Sequence, residues 1–353
     1  MKILITGGAG FVGSNLGIEL VKKNSRFKIT AFDNLKRRGS ELNISRLKKY
    51  GIDFIHGDIR NPEDLKDIHD FDVMVECSAE PSVLASFYNP QYVISTNLTG
   101  SINCFEEARK RSAGIIFIST SRVYSKEVLN SLILKETLQR FIPSSKNKIS
   151  GFSKKGISEE FPLEGTRTLY GTTKLATELI LQEYIDMYGI KGIINRCAVL
   201  TGPWQMGRVD QGFVVYWMLK HVFKQQISYI GYGGKGKQVR DVLHIADFVD
   251  LIELQIKNLS SFKGEIFNVG GGENLSISLK ELTNFCRDFF KTKVKIKSVK
   301  KTRKGDVPYY VTDYTKVKKT FLWEPKRSLE QTLTDTAIWV EKHKNDLKQI
   351  FGG

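Results

Sequence analysis

A short apolar run, Lys2–Thr6, opens the chain and stops at a pair of glycines; apolar positions then recur every three or four residues from Ser14 to Lys23. The same alternation repeats down the first half. Apolar runs at Lys28–Phe32, Asp53–His56, Val73–Glu76 and Gly114–Ser119 are separated by helix-periodic stretches such as Leu42–Tyr50 and Ser101–Arg111. Runs of this length predict strands and the stretches between them predict helices, an order that builds a parallel sheet covered on both faces. A helix over Thr172–Tyr188 and a strand over Gly192–Asn195 extend the series.

After about Arg196 the rhythm changes. Glycine-rich loops appear at 231–236 and 270–272, with helices near Gly212–Lys224, Ile245–Lys257 and Leu279–Phe290. The predicted fold is therefore α/β: a doubly wound parallel sheet of Rossmann type over residues 1–195, joined by a returning segment at about 237–258. A smaller C-terminal substrate-binding lobe takes 196–236 and 259–353. Doubly wound sheets bind ligands at the carboxyl ends of their strands, which predicts a site between the lobes. The long connection 125–167, rich in serine and lysine over 143–155, predicts a lid or a surface insertion.

Composition narrows the class. Hydrophobic residues make up 41% and charged residues 26% of the 353, as in an ordinary globular protein. The four cysteines, Cys77, Cys104, Cys197 and Cys286, form no CxxC pair and sit among apolar neighbours, which predicts buried free thiols, no metal site and a reducing, cytoplasmic setting. Gly7 and Gly8 interrupt the first apolar run too early for a secretory segment, and no stretch approaches the ~20 apolar residues of a membrane span. The net charge of +16 leaves two readings open: nucleic-acid binding, or a positive field that gathers small anions. Between Lys291 and Lys304 the lysines alternate with apolar residues, as on the wet face of a strand, and nucleic acid is not expected as a partner.

The candidate chemistry begins at Gly7-Gly8-Ala9-Gly10-Phe11-Val12-Gly13, between the first strand and the first helix. Glycines let backbone approach a pyrophosphate, and the helix N-terminus adds free N–H donors. Asp33 ends the second strand 20 residues after Gly13, where a carboxylate bonds ribose hydroxyls and repels a 2′-phosphate, favouring NAD; Arg37 and Arg38 are the counter-signal. Farther on, Tyr170-Gly-Thr-Thr-Lys174 places a phenol and an ammonium on one helix face, downstream of a strand that ends in Ser119-Thr120-Ser121. A nearby cation makes a phenol a better base, and a hydroxyl at Thr120, or alternatively Ser121, can hold a sugar oxygen in line.

These motifs, with Asp33-Asn34-Leu35, Gly57-Asp58-Ile59-Arg60 and Thr120–Tyr124, follow one another as in the extended short-chain dehydrogenase/reductases, which the sequence resembles over nearly its whole length. The resemblance implies an NAD site made by Gly7, Gly10, Phe11, Val12, Gly13, Asp33 and Asn34, with Asp58 and Ile59 flanking the adenine. It also implies that Ser78 and Ala79 line the cofactor, that Asn97 supports the site, and that Thr120, Tyr170 and Lys174 are catalytic, Lys174 also binding cofactor. The segment Glu76-Cys77-Ser78-Ala79-Glu80-Pro81 departs from the His-Leu-Ala-Ala pattern usual in that family.

In the second lobe, Gly236-Lys237-Gln238-Val239-Arg240-Asp241 resembles the segment whose arginine grips the diphosphate in nucleotide-sugar epimerases and dehydratases, and Arg303 and Asp306 resemble a second clamp. Tyr124 and Gln211 are expected to touch the same substrate. Val209–Val214 and Gly236–His244 are most similar to the CDP-paratose 2-epimerase group, and Asn195–Pro203, the stretch facing the sugar in this class, carries Val199 where UDP-galactose 4-epimerases have asparagine. The implied activity is epimerisation of a nucleotide-diphosphate sugar through a transient ketone, at C2 of a CDP-sugar. A 4-epimerase, dehydratase or decarboxylase acting on a UDP-, GDP- or dTDP-sugar stays open, as does a non-catalytic scaffold that senses NAD or binds nucleic acid. The class commonly pairs helices between subunits, so Thr99–Arg111 and Thr172–Tyr188 predict a homodimer or homotetramer.

Overall fold

The computed structural model describes residues 1–208 and 211–351. Its main sheet has seven strands: β1 (Lys2–Thr6), β2 (Lys28–Asp33), β3 (Asp53–His56), β4 (Val73–Glu76), β5 (Gly114–Thr120), β6 (Gly192–Cys197) and β7 (Lys263–Val269). All pairings are parallel and the order is β7-β6-β5-β4-β1-β2-β3, so the sheet reverses direction of winding between β1 and β4. That reversal opens a crevice at the carboxyl ends of the strands. Side chains alternate across the sheet: Ile3 and Ile5 enter a core shared with Phe248 and Ile252, while Leu4 and Met74 enter a second with Phe105 and Leu181.

Four helices matter for the site: α1 (Phe11–Lys23), α2 (Ser101–Lys110), α3 (Leu169–Tyr188) and α4 (Ile245–Asn258). Helix α3 starts on Thr168, whose hydroxyl accepts from the Gly171 amide at 3.2 Å, and ends on Gly189 in the left-handed conformation. Just before α2 lies a π-helical turn, Ser95–Gly100, that carries Asn97.

The second lobe is built on Val239–His244, which pairs in parallel with Val199–Thr201 and Tyr309–Tyr310 and antiparallel with Ser276–Ser278. The chain's return to the main sheet starts later than the expected 237, since Val239–His244 pairs within the second lobe, and runs past the expected 258. Helix α4 covers the sheet and then β7 adds its seventh strand, against the expectation that 259–269 belongs to the second lobe; Val317, Phe321 and Trp323 also pack into the first core. The physical reason is that β7 completes the burial of β6, every residue of which is buried.

The connection 125–167 is ordered by short elements: helix Lys126–Asn130 and the hairpins Leu134–Glu136/Phe141–Pro143 and Phe152–Ser153/Gly156–Ile157. Glu136 pairs with Lys235 and Lys237 at 2.7 Å each, and Arg140 pairs with Glu281 at 2.7 Å, so this insertion is clamped to the second lobe. Of the lysine-rich stretch 291–304, only Ile296–Val299 forms a strand, with Ile296 turned to the core and Lys297 exposed. No helix among the described residues is long and apolar enough to cross a membrane, and none of their cysteine, histidine and carboxylate groups cluster as a metal site. The four cysteines are free, three of them buried.

Candidate active site

A cleft of about 580 Å³ runs from the glycine turn across the ends of β1, β4 and β5 to the second lobe, within the size range of small-molecule sites. At one end lie Gly7, Gly10, Phe11, Val12, Gly13, Asp33, Asn34 and Ile59, and beside them Ser78 and Ala79. The turn is built for close approach: Gly7 has φ +62°, and a Cβ on Gly13 would lie 2.4 Å from the Gly7 carbonyl oxygen. Only glycine lets the loop fold this tightly and leaves backbone as its wall. Helix α1 begins there on Gly10 with no side-chain cap, so its first N–H groups face a cleft suited to phosphate oxygens.

Asp33 fixes the rim of this pocket. Its carboxylate accepts from the Ala9 amide at 3.1 Å and the Leu35 amide at 2.7 Å, while burial pushes its pKa up. Of the two arginines, Arg37 lines the cleft and donates to the Met206 carbonyl at 2.5 Å, while Arg38 donates to the Gln349 carbonyl at 2.8 Å. NAD is expected to bind more tightly than NADP, and Asp33→Asn, which keeps the side chain's size, to narrow the ratio by roughly tenfold in paired calorimetric titrations.

Asp58 and Asn97 act from outside the cleft wall. Burial pulls the Asp58 carboxyl upward, but hydrogen bonds from Arg60 and from Asn34 at 3.0 Å bring its pKa down to about 2. Asn97 is buried and clips the loop after β4: its Oδ1 accepts from the Glu80 amide at 2.7 Å and its Nδ2 donates to the Glu80 carbonyl at 3.1 Å.

At the centre of the cleft stand Thr120 and Tyr170, with the Thr120 hydroxyl among the influences that favour the Tyr170 phenolate. The close seat of α3 on the turn after β5 brings this about, since a Cβ on Gly171 would stand 2.1 Å from the Arg122 carbonyl oxygen. Ser121 also lines the cleft. Burial pushes the Tyr170 phenol up to about 12, against the Thr120 hydroxyl and the positive charge of Arg122. Among the largest influences on the phenol the cation is Arg122, not Lys174. Lys174 is itself buried, with Nζ 3.7 Å from Glu76 Oε2 and 3.9 Å above the Phe117 ring.

Tyr124, expected to touch the substrate, is instead buried beneath the cleft. Its hydroxyl donates to Asn268 at 2.7 Å and accepts from Arg196 at 3.3 Å, so a neighbouring polar network has taken the group that would have faced the sugar. Of the Asn195–Pro203 stretch, Asn195 and Arg196 are buried in side-chain pairs, and Cys197, Ala198, Val199 and Leu200 form the wall. Gln211 lines the cleft, whereas Val209 and Asp210 of the same expected segment lie outside the described residues.

The cleft continues into a second pocket of about 370 Å³ that holds Arg240, Arg303 and Asp306 together. Arg240 Nη2 pairs with Asp306 at 3.0 Å and donates to the Val307 carbonyl at 2.6 Å. Arg122, which the sequence did not single out, lines both pockets and donates to the Gly305 carbonyl at 3.0 Å. Its signal was its place two residues after Thr120, on a turn that must pass between the pockets.

A family model described as the NAD dependent epimerase/dehydratase family matches residues 3–270. The chain belongs to the NAD dependent epimerase/dehydratase family. Among curated members, it is 30% identical to the CDP-paratose 2-epimerase of Salmonella typhi, over 96% of this chain and 99% of that one. It is 26% identical to the UDP-glucuronate 4-epimerase of Thermodesulfobacterium geofontis, over 98% of each. Among solved structures, the dTDP-glucose 4,6-dehydratase of Bacillus anthracis in complex with NAD superposes with a TM-score of 0.78 at 25% identity, over 99% of each chain. NAD is the cofactor of this epimerase/dehydratase family member, and the glycine turn, the uncapped helix start and Asp33 fit it.

Proposed function

We propose that this chain epimerises a nucleotide-diphosphate sugar by transient oxidation of one ring carbon, at C2 of a CDP-sugar of the paratose/tyvelose kind. The observation that carries the reading is the meeting of Thr120 and Tyr170 in one cleft with the glycine turn at one end and Arg240 at the other. Bound NAD supplies reversible acceptance of a hydride. The chain's own residues supply the rest. Thr120 holds the sugar hydroxyl, Tyr170 takes and later returns its proton, and the second pocket grips the nucleotide while the ketone turns its other face.

The 30% identity to a CDP-paratose 2-epimerase favours C2 and a cytidine nucleotide. Dehydratase chemistry calls for an acid beside the catalytic hydroxyl, and here Ser121 and Arg122 occupy that turn. Incubation with CDP-, UDP-, GDP- and dTDP-sugars, followed by NMR of the products, tests the reading. Inversion at C2 of a CDP-sugar supports it; inversion at C4 or loss of water from any of the panel replaces it.

Arg240 is expected to act on binding. Arg240→Gln removes a charged donor from the second pocket and leaves Asp306 without its cation. KM for the sugar nucleotide should rise ~10- to 100-fold with a smaller change in kcat, as steady-state kinetics would read. The free thiols fit a cytoplasmic enzyme, and Leu179 and Met187, both exposed on α3, fit a helix-paired homodimer or homotetramer, which light scattering would detect.

A further inference from the structure

Beneath the cleft, a carboxylate and an ammonium face each other with neither fully partnered. Glu76 closes β4 and Lys174 lies on the first turn of α3; their side chains are 0% and 1% exposed, and Oε2 and Nζ stand 3.7 Å apart. Neither of these two atoms has a hydrogen-bond partner within the described residues. The other carboxylate oxygen, Oε1, accepts weakly from Thr6 at 3.4 Å. An ammonium carries three donors, and leaving them unmet in a sealed site is costly, so the charge of Glu76 has to offset that burial.

The other groups around Lys174 cannot replace Glu76 as counter-ion. Glu178, on its own helix, is committed to Arg196 and Ser119. Cys77 and Cys197, which face it from the loop after β4 and from β6, are held as neutral thiols because burial pushes both pKa values up. The Phe117 ring on β5 offers only its face. Glu76 in turn is faced by Lys174, by the hydroxyls of Thr6 and Ser101 and by the Ser78 amide.

We propose that Glu76 is a positioning residue, the fixed counter-ion that keeps Lys174 protonated and seated behind the cleft wall, where its free N–H donors meet the bound dinucleotide. The inference rests on the functional reading above. Burial draws the Lys174 pKa down and the Glu76 pKa up, and the charge of each is the largest influence opposing that shift in the other. Without the Glu76 charge the ammonium loses its proton as the pH rises through the lowered pKa, and a neutral amine is a weaker donor.

The test is NAD affinity measured by calorimetry between pH 6 and 9 for the wild-type chain, E76Q and E76D. Wild type and E76D should give flat profiles. E76Q should weaken with rising pH, approaching about tenfold per pH unit above the lowered Lys174 pKa. An E76Q profile that is flat, whether at wild-type affinity or uniformly weakened, overturns the proposal. If E76Q fails to fold, the double variant E76Q/K174M decides: recovered folding supports the pairing, and continued failure overturns it. If the wild-type chain binds no NAD, the functional reading is what fails. The pairing is then tested on the ligand-free chain by thermal unfolding of E76Q, K174M and the double variant, non-additive shifts supporting it and additive shifts overturning it.

Discussion

Tyr170→Phe is expected to lower turnover by ~10³-fold or more while leaving NAD affinity and the thermal midpoint near those of the wild type. Loss of a single oxygen has this selectivity because that atom has one task. Its ring forms part of the cleft wall, which phenylalanine reproduces, and Thr120 lines the same cleft. Burial holds the phenol up to about 12, so at neutral pH it keeps its proton. On the proposed function, proton exchange with the sugar then depends on charge brought into the cleft with the bound ligands. Kinetics on the sugar nucleotide, paired with a calorimetric NAD titration of the same variant, would read both halves. Retained turnover would remove Tyr170 from the chemistry, and a loss of turnover accompanied by lost NAD binding would assign it to cofactor holding instead.

The sequence was informative where one residue type answers one local demand. The glycines of 7–13, the alternating runs of β1 to β5 and the i, i+4 pair Tyr170 and Lys174 are demands of backbone geometry and periodicity, and all of them can be read from neighbours in the chain. What escaped were decisions between competing partners far apart in sequence. Tyr124 has the right spacing to reach substrate, yet Asn268 and Arg196 claim its hydroxyl from 144 and 72 residues away. The span 263–269 falls within the predicted second lobe, with no strand expected there, because no local pattern says which sheet a segment joins; the open edge of β6 decides that. Arg122 was passed over as a neighbour of Thr120, because its access to both pockets comes from the second lobe packing across it.

Arg196→Met is expected to destabilise the chain by about 3–5 kcal/mol, the largest stability loss predicted for a residue outside the cleft. Arg196 and Glu178 form a two-pronged ion pair, with Nη2 to Oε2 at 2.7 Å and Nε to Oε2 at 3.0 Å, and their side chains are 4% and 1% exposed. Methionine fills much of the volume but leaves the buried Glu178 carboxylate, among the described residues, with the Ser119 hydroxyl as its remaining hydrogen-bond donor. Urea unfolding of the variant beside the wild type would show the destabilisation. Adding Glu178→Leu should restore most of the loss, because the cost lies in the orphaned charge more than in the missing pair. The damage should also reach the chemistry. Ser119 hangs from Glu178 and immediately precedes Thr120, and Arg196 braces Tyr124 four residues beyond it, so the network fixes both ends of the turn that presents the Thr120 hydroxyl to Tyr170. Even the restabilised double variant should therefore keep a depressed kcat at near-normal KM. A double variant with full turnover would mean that the strand alone suffices to aim Thr120.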